Sequence, residues 1–479
     1  MAKNISELYL PNFIFRVILV EHKSELFQNQ LSKNVLEYGE SYNLLNFPDE
    51  TKSKEQQSLR DELLRKLSTR FTPGYNNSKI DSKNISPGCR ICAEGTWSCL
   101  FINNKCNCRC FYCPSTQENE DYPTTNTIPF PNVNDYLKYV ERFGFKGVSI
   151  SGGEPLLTPE KTLKYIKDVR QYFCDSIYLW LYTNGTLLTD TLASELAEAG
   201  INEIRFDIGA TDYSLDNLKK TLNKIETVTV EIPALPDDFE VMKRKIEDLA
   251  ALGVKHLNLH QLRLTPFNFE KLVKKNYTFL HGEKITVLES ELTALRLLEY
   301  TLDNSINLPI NYCSFIYKNR FQRTAARKRN AEPMIKNFEQ LTESGFIRTI
   351  FITGSEMLFS IKAEELSMKY PGDTFYDEQT KRLYVKLNVL KELDWSEGGI
   401  FLKYGEAVLL PAISYRNPFK TINITHEKTV AVEYVKRYEK EFNSTNQLYR
   451  MLTSLTDKSK DYSVVRNFEK MGDGFQDYY

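Results

Sequence analysis

The chain has 479 residues, of which 41% are hydrophobic and 26% charged, with a formal net charge of -1. That length holds one large catalytic domain with attachments or two to three smaller domains, and the near-zero charge excludes a global electrostatic argument for nucleic-acid or membrane binding. No stretch approaches membrane-span length: FIFRVILV is short and contains Arg16, and MAKNISELYLPNFIF lacks the basic start, apolar run and small-residue cleavage site of a secretory signal, so a cytoplasmic protein with no membrane partner is expected.

Residues 1–86 hold one apolar strand pattern, 13–20, then polar helical sequence such as SLRDELLRKL and a loop rich in Gly, Asn and Ser. This reads as an N-terminal attachment, suited to recognising a partner or leader peptide. From 87 to 334 short apolar runs alternate with amphipathic helices. Strands are expected at WSCLFI (97–102), GVSISGG (147–153), SIYLWLYT (176–183), NEIRFDIG (202–209), VTVEIPA (228–234) and KHLNLHQL (255–262). Between them, Leu163, Ile166, Val169 and Phe173 mark one helix face, and Phe239, Met242, Ile246, Leu249 and Leu252 another. Gly200 and Gly253 sit where helix C-caps belong. About six β/α units make an α/β protein with a parallel barrel or open partial barrel, whose sites lie at the carboxyl ends of the strands. Residues 335–479 change pattern again. IRTIFITG, RLYVKLNVL and GIFLKYGEAVLLPA suggest strands, and a helix is expected with Ala431, Tyr434, Val435, Tyr438 and Phe442 on one face. This is a C-terminal α+β domain with a polar tail expected to fray.

Seven of the nine cysteines fall within CRICAEGTWSCLFINNKCNCRCFYCP, residues 89–114. In a reducing compartment such a cluster points to metal ligands or redox groups rather than disulfides. Cys106, Cys110 and Cys113 have the spacing C-x3-C-x2-C in the loop after the first expected strand. Three thiolates on one tight loop can bind three irons of a 4Fe-4S cluster and leave the fourth open to substrate; a structural zinc site or a fully ligated electron-transfer cluster also accepts three cysteines.

This segment resembles the radical S-adenosylmethionine (SAM) superfamily, whose signature is this spacing with an aromatic before the last cysteine, here CNCRCFYC. The resemblance covers about residues 95–320. It implies a partial (β/α)6 TIM-like radical SAM barrel. It also implies that the amino and carboxylate groups of SAM chelate the open iron, and that reductive cleavage gives methionine and a 5'-deoxyadenosyl radical. The electron would come from a donor such as flavodoxin or ferredoxin, and Tyr112 would lie near the adenine. In SGGEP, closed by Pro155, Gly152 and Gly153 permit close backbone approach and Glu154 can pair with a cationic amine; in the family this motif holds the SAM amino group. YTNG (182–185) and RFDIG (205–209) offer Thr183, Asn184, Arg205 and Asp207 for the ribose hydroxyls and carboxylate, against the alternative of polar strand ends capping the next helix. VTVEIPALP departs from the family's glycine-containing adenine motif, and contacts there stay open.

Cys89, Cys92, Cys99 and Cys108 form a second expected site, a tetrahedral four-cysteine knot for zinc or rubredoxin-like iron, with a second redox cluster as the alternative. No cysteine follows Cys313 in the sequence, so a C-terminal auxiliary cluster is not expected. Cys313, in NYCSFIYKNRFQ, is the candidate catalytic residue: a thiol is a good hydrogen-atom donor, although an isolated cysteine is more often core. Cys174 reads as packing. His260, with Gln261, ends the sixth strand and faces the same mouth.

A donor cysteine far downstream resembles the radical SAM peptide epimerases of proteusin type. Modification of a ribosomally made peptide, by L-to-D epimerisation with Cys313 as donor, is therefore the specific expectation. A radical SAM C-methyltransferase is an alternative, weakened because residues 1–86 are short for a cobalamin domain and lack an Asp-x-His-x-x-Gly loop. A tRNA-modifying enzyme is another, since KNRFQRTAARKRNA, with Lys318, Arg320, Arg323, Arg327, Lys328 and Arg329, could grip phosphates or an acidic leader, or form a solvated helix face.

Overall fold

The computed structural model describes residues 5–10, 13–18, 23–72, 74–81, 84–117, 122–354, 356–457, 459–472 and 474–479. An antiparallel hairpin, β1 (Ile5–Leu10) and β2 (Phe13–Ile18), comes first. The strand expected at 13–20 is β2, and its last two positions lie outside the described residues. Helices α1 (Glu25–Tyr38) and α2 (Glu50–Leu67) follow, each started by a side-chain cap: Ser24 accepts from Phe27 N and Asp49 from Lys52 N. Leu63 and Leu67 of α2 enter the main core, and buried Arg60 binds Glu291 and the Gln476 carbonyl.

The central sheet is built from β3 (Lys79–Ile80), β4 (Trp97–Asn103), β5 (Gly147–Gly152), β6 (Tyr178–Thr183), β7 (Glu203–Phe206), β8 (Thr227–Pro233), β9 (His256–His260) and β10 (Ile310–Cys313). Strands β4 to β10 run parallel in sequence order; β3 pairs antiparallel with β10, and a two-residue hairpin extends the β4 edge. The six expected strands are all present. A seventh, β10, joins them; its four residues are too few for an apolar run to announce it.

Alternation along the strands separates two faces. Val148, Ile150, Leu179, Leu181, Ile204, Val230, Leu257 and Leu259 join one core with Ile166, Leu196, Ile246 and Leu295 of the crossover helices. The residues between them, among them Tyr182, Glu203, Arg205, Glu231, Asn258 and Asn311, hydrogen-bond to one another on the concave face. A short helix, α3 (Pro87–Ala93), lies on that inner face, where Gly88 N donates to Glu203 and the Ser86 hydroxyl receives Arg205. The polar interior of the partial barrel is thus filled by side chains and α3, while its apolar exterior is covered by helices.

The C-terminal region forms an antiparallel sheet in the order β12 (Thr374–Asp377), β13 (Arg382–Val385), β11 (Ile347–Thr353), β14 (Ile400–Leu410), β16 (Thr429–Phe442), β15 (Phe419–Asn423). One part of it packs a second core of Ile350, Ile352, Leu402, Leu448 and Met451, while Ile347, Ala407, Val430 and Val432 join the main core. Two expectations are corrected here. The helix read through 431–442 is β16: its apolar spacing satisfies a helix, but β14 supplies an antiparallel ladder along almost its whole length, and pairing overrides local propensity. The tail does not fray, because Phe475 and Tyr478 are buried in the main core and the Tyr478 hydroxyl donates to Glu291 at 2.6 Å.

Candidate active site at the strand ends

The loop leaving β4 carries Cys106, Cys110 and Cys113, all partly buried. Amide donors point at two of the sulfurs: Cys108 N reaches Cys106 Sγ at 3.4 Å, Asn184 Nδ2 reaches it at 3.8 Å, and Gln117 Nε2 lies 3.7 Å from Cys113 Sγ. Burial raises the Cys106 thiol and pushes Cys110 up to about 12, so thiolate formation here needs a bound cation and the loop's N–H donors. Among the described residues no three His, Cys, Asp or Glu side chains converge on one point as a single metal ion requires. A cluster of four irons takes its cysteines at separate corners, and three cysteines on one loop, with N–H donors at Cys106 and Cys113, fit that group.

The glycines of SGGEP serve the loop itself. A Cβ on Gly152 or Gly153 would lie 2.0 Å from the Asn103 or Lys105 carbonyl, and Gly152 has φ +133°. Gly153 N and Glu154 N donate to those carbonyls at 2.9 and 2.7 Å, which seats the cysteine loop on β5. Glu154 is 1% exposed. Its carboxylate accepts Leu156 N at 2.9 Å, the Thr183 hydroxyl at 2.8 Å and Asn184 N at 2.7 Å. Both oxygens are therefore engaged in tying β5 to β6, where the sequence suggested a partner for an amine. Pro155 opens a buried turn whose carbonyl accepts Thr162. Asn184 links onward to Asn107 at 2.9 Å and Cys108 Sγ at 3.3 Å.

Tyr112, buried against Leu262 and Leu264, donates to Asp207 at 2.9 Å, and Asn268 holds its carbonyl at 3.2 Å. Burial lifts Asp207 to about 6, against the pull of Tyr112 and the Gly209 and Ala210 N–H groups. Arg205 lies elsewhere than expected. It is 2% exposed and gives four of its five N–H donors to Glu203 at 2.8 Å, Glu231 at 2.6 Å, and Tyr182 and Ser86 at 3.1 Å, so it is committed to knitting the barrel interior. His260 bridges Glu231, 2.8 Å from Nε2, and Lys318, 3.1 Å from Nδ1. Burial and Lys318 lower its pKa.

The second cysteine set divides. Cys108 stays on the cluster loop, near the Ala210 carbonyl at 3.7 Å, and Cys99 on β4 is pushed up to about 11 by burial beside Ser149. Cys89 and Cys92, on α3, instead lie near Cys313. Asn258 donates to Cys89 Sγ at 3.2 Å, Gln322 to Cys92 Sγ at 2.6 Å, and Lys79 Nζ to Cys313 Sγ at 2.8 Å. The four-cysteine knot is therefore not assembled, because α3 carries its pair into the barrel while Cys108 stays at the rim. Cys174, expected to pack, is exposed. Lys79 went unread because KI is too short to signal a strand; Glu231 is the other interior group the sequence left unassigned. Of the basic run, Lys318 meets His260, Arg320 pairs with Glu283 at 3.0 Å, Arg327 binds the Ser344 carbonyl, and Arg329 binds the Gly95 carbonyl; most of it is consumed in packing.

The radical SAM superfamily model matches residues 100–224, the segment that carries the cysteine loop, SGGEP, YTNG and RFDIG. A Methanocaldococcus jannaschii protein provisionally named a glycyl-radical enzyme activating enzyme is 30% identical over 285 residues, covering 57% of this chain and 75% of its own. The chain belongs to the radical SAM superfamily. A GTP 3',8-cyclase of Campylobacter jejuni is 26% identical over 198 residues, 41% of this chain and 59% of that protein; of this relative the chain spans less than two thirds. Among solved structures, Streptococcus suis SuiB bound to precursor peptide SuiA superposes with a TM-score of 0.34 at 15% identity, covering 48% of this chain and 50% of that one. A methylornithine synthase gives 0.33 at 11% identity, covering 61% and 86%. As a radical SAM enzyme the protein uses a 4Fe-4S cluster and SAM, and the loop of Cys106, Cys110 and Cys113 is where its residues fit the cluster. Among the described residues no helix is long and apolar enough to cross a membrane.

Proposed function

We propose that this radical SAM enzyme takes a hydrogen atom from an α-carbon of a polypeptide, and that Cys313 returns one to the opposite face, converting an L residue to D. When bound, the cluster and SAM supply a 5'-deoxyadenosyl radical able to attack an unactivated carbon. The observation that carries the reading is Cys313 at the carboxyl end of β10, its Sγ 2.8 Å from the Lys79 ammonium. A thiol hydrogen passed to a carbon radical leaves a thiyl. One electron from a ferredoxin- or flavodoxin-type donor and one proton restore the thiol, and Lys79 stands where that proton is needed. Cys313 opposes His260 in the register, which sets the sulfur at the level of the strand ends.

A second reading has its own support. The Methanocaldococcus relative is named for activation of a glycyl-radical enzyme, a reaction that also begins at a polypeptide α-carbon and leaves the radical there. Both readings predict deuterium in 5'-deoxyadenosine when the reconstituted enzyme meets an α-deuterated proteome. Deuterium delivered only from the small-molecule fraction overturns both. Solvent deuterium at an inverted α-carbon, lost in Cys313→Ala, selects epimerisation; a persistent organic radical on a protein, unchanged in Cys313→Ala, selects activation.

A further inference from the structure

Arg263 and Lys318 lie on the segments that follow β9 and β10, neighbouring parallel strands whose carboxyl ends are where α/β sheets of this kind receive ligands. Their cationic groups share one aromatic ring: the Arg263 guanidinium is 5.3 Å and the Lys318 ammonium 5.5 Å from the centroid of Phe315. Neither is fully exposed, and among the described residues no carboxylate lies within ion-pair distance of either. The carboxylates that act on them at longer range are committed elsewhere. Glu37, near Arg263, binds Lys284 at 2.6 Å, and Glu231, near Lys318, binds Arg205 at 2.6 Å and His260 at 2.8 Å. Lys318 has His260 Nδ1 as its hydrogen-bond partner, and Arg263 has the ring. Exposed Arg323 adds a third positive charge beside Arg263.

Half-buried cations without counter-charge are costly, and proteins keep them where something anionic arrives. Burial lowers the pKa of both groups, and the neighbouring positive charges add to the effect, as expected of a site waiting for negative charge. Lys79, the next cation inward, has thiols and the Tyr317 ring as neighbours and supplies no carboxylate. The excess of positive charge therefore runs from the interior to the mouth.

We propose that Arg263 and Lys318, set on Phe315, form a subsite for an anionic group of the substrate, a carboxylate or a phosphate. Arg263 can offer a planar pair of N–H donors and Lys318 a point charge, while Phe315 covers one side of the site with an apolar surface. On the polypeptide reading, that anion is an acidic side chain or chain terminus beside the target residue. The subsite does not depend on that reading, since a nucleotide phosphate would bind by the same contacts. SAM is the other source of a carboxylate, and the test separates the two.

The test uses the full chain reconstituted with iron and sulfide under anaerobic conditions, titrated calorimetrically with inorganic phosphate and separately with SAM. Saturable phosphate binding is expected, weakened at least about tenfold by Arg263→Gln and by Lys318→Gln, the loss of one charge-assisted contact. Arg263→Lys should keep most of it. SAM affinity within about twofold of the parent in the same samples assigns the subsite to substrate. Thermal melting without phosphate distinguishes a waiting cation from a structural one: Arg263→Gln should leave stability equal or higher. Absent phosphate binding, binding that survives both glutamine variants, or a tenfold loss of SAM affinity that makes SAM's carboxylate the occupant would each overturn the proposal. None of these results bears on hydrogen abstraction, which is read in labelled 5'-deoxyadenosine.

Discussion

Two groups of cysteines, one on the loop after β4 and one inside the barrel, are built on opposite plans. At the rim, Cys106, Cys110 and Cys113 are half-buried on a loop; N–H donors reach Cys106 and Cys113, the Tyr112 hydroxyl reaches Cys110, and among the described residues no cationic side chain is bonded to any of the three sulfurs. Inside, Cys89, Cys92 and Cys313 are held by Asn258, Gln322 and Lys79, and the last is an ammonium 1% exposed. Charge balance explains the contrast. Sulfurs that are to hold iron would have their charge answered by the metal, and a resident lysine there would compete with it. A sulfur that works without metal, in a dry interior, needs its own proton or cation beside it.

The largest test of that contrast is Cys110→Ala against Cys313→Ala. Cys110→Ala should lose essentially all cluster iron and all 5'-deoxyadenosine. Cys313→Ala should keep the iron, and with it the brown absorption of the cluster. If Cys313→Ala lost iron to the same degree, the interior sulfur would be a ligand and the two plans would collapse into one.

Glu154→Gln comes next. The carboxylate accepts three hydrogen bonds, two of which join β5 to β6 beneath the cysteine loop, and an amide has one acceptor oxygen and turns its N–H groups toward either Asn184 N or Leu156 N. A loss of about 2 kcal/mol in unfolding free energy is expected for such a buried mismatch, measured by urea denaturation, together with weaker iron retention. Unchanged stability would mean that Glu154 faces a ligand as the motif suggests, not the scaffold.

Lys79→Met against Lys79→Ala probes the interior. Met replaces the stem and removes a buried charge, so stability should change by less than about 1 kcal/mol, whereas Ala opens a cavity costing about 2 to 4 kcal/mol. Both should abolish turnover that depends on Cys313 while leaving the cluster's absorption intact. Iron loss in Lys79→Met would show that the interior cation supports the rim.

How far the sequence reached follows the same division. The rim was legible because its chemistry is local: C-x3-C-x2-C, Gly-Gly-Glu-Pro and the strand-end polar residues are short, contiguous and placed by β/α alternation. The interior was not, because it joins residues remote in sequence. Lys79 comes from a two-residue strand, Cys89 and Cys92 from a seven-residue helix, and Cys313 from a four-residue strand. Composition placed Cys89 and Cys92 with Cys99 and Cys108, their neighbours in sequence, where the fold gives them to Cys313. Arg205 was misplaced for a related reason: alternation puts it on the concave face, but only the partners Glu203 and Glu231 reveal that it is spent there. The β16 strand was missed because apolar positions at 431, 434, 435, 438 and 442 satisfy a helix as well as they satisfy a long hairpin.

The smallest expected effect concerns Tyr112, which sits between the two plans. Its hydroxyl donates to Asp207, a carboxyl that burial lifts to about 6 while this hydrogen bond and two backbone N–H groups pull it down. Because the folded value lies above the ordinary 3.8, the native state holds this proton more tightly than the unfolded chain. The group's contribution to stability is thus fullest in acid and declines as pH rises from about 4 through about 6. Tyr112→Phe removes one of the forces holding the carboxyl down, so its value rises and the decline extends to higher pH. Melting temperatures of the two proteins measured between pH 4 and 8 should diverge toward neutrality, by an amount corresponding to about 1 kcal/mol for one hydrogen bond to a charged group. Parallel curves would mean that Asp207 is already neutral beside Tyr112 at pH 7, and that the rim carries its proton on the carboxyl as well as on its thiols.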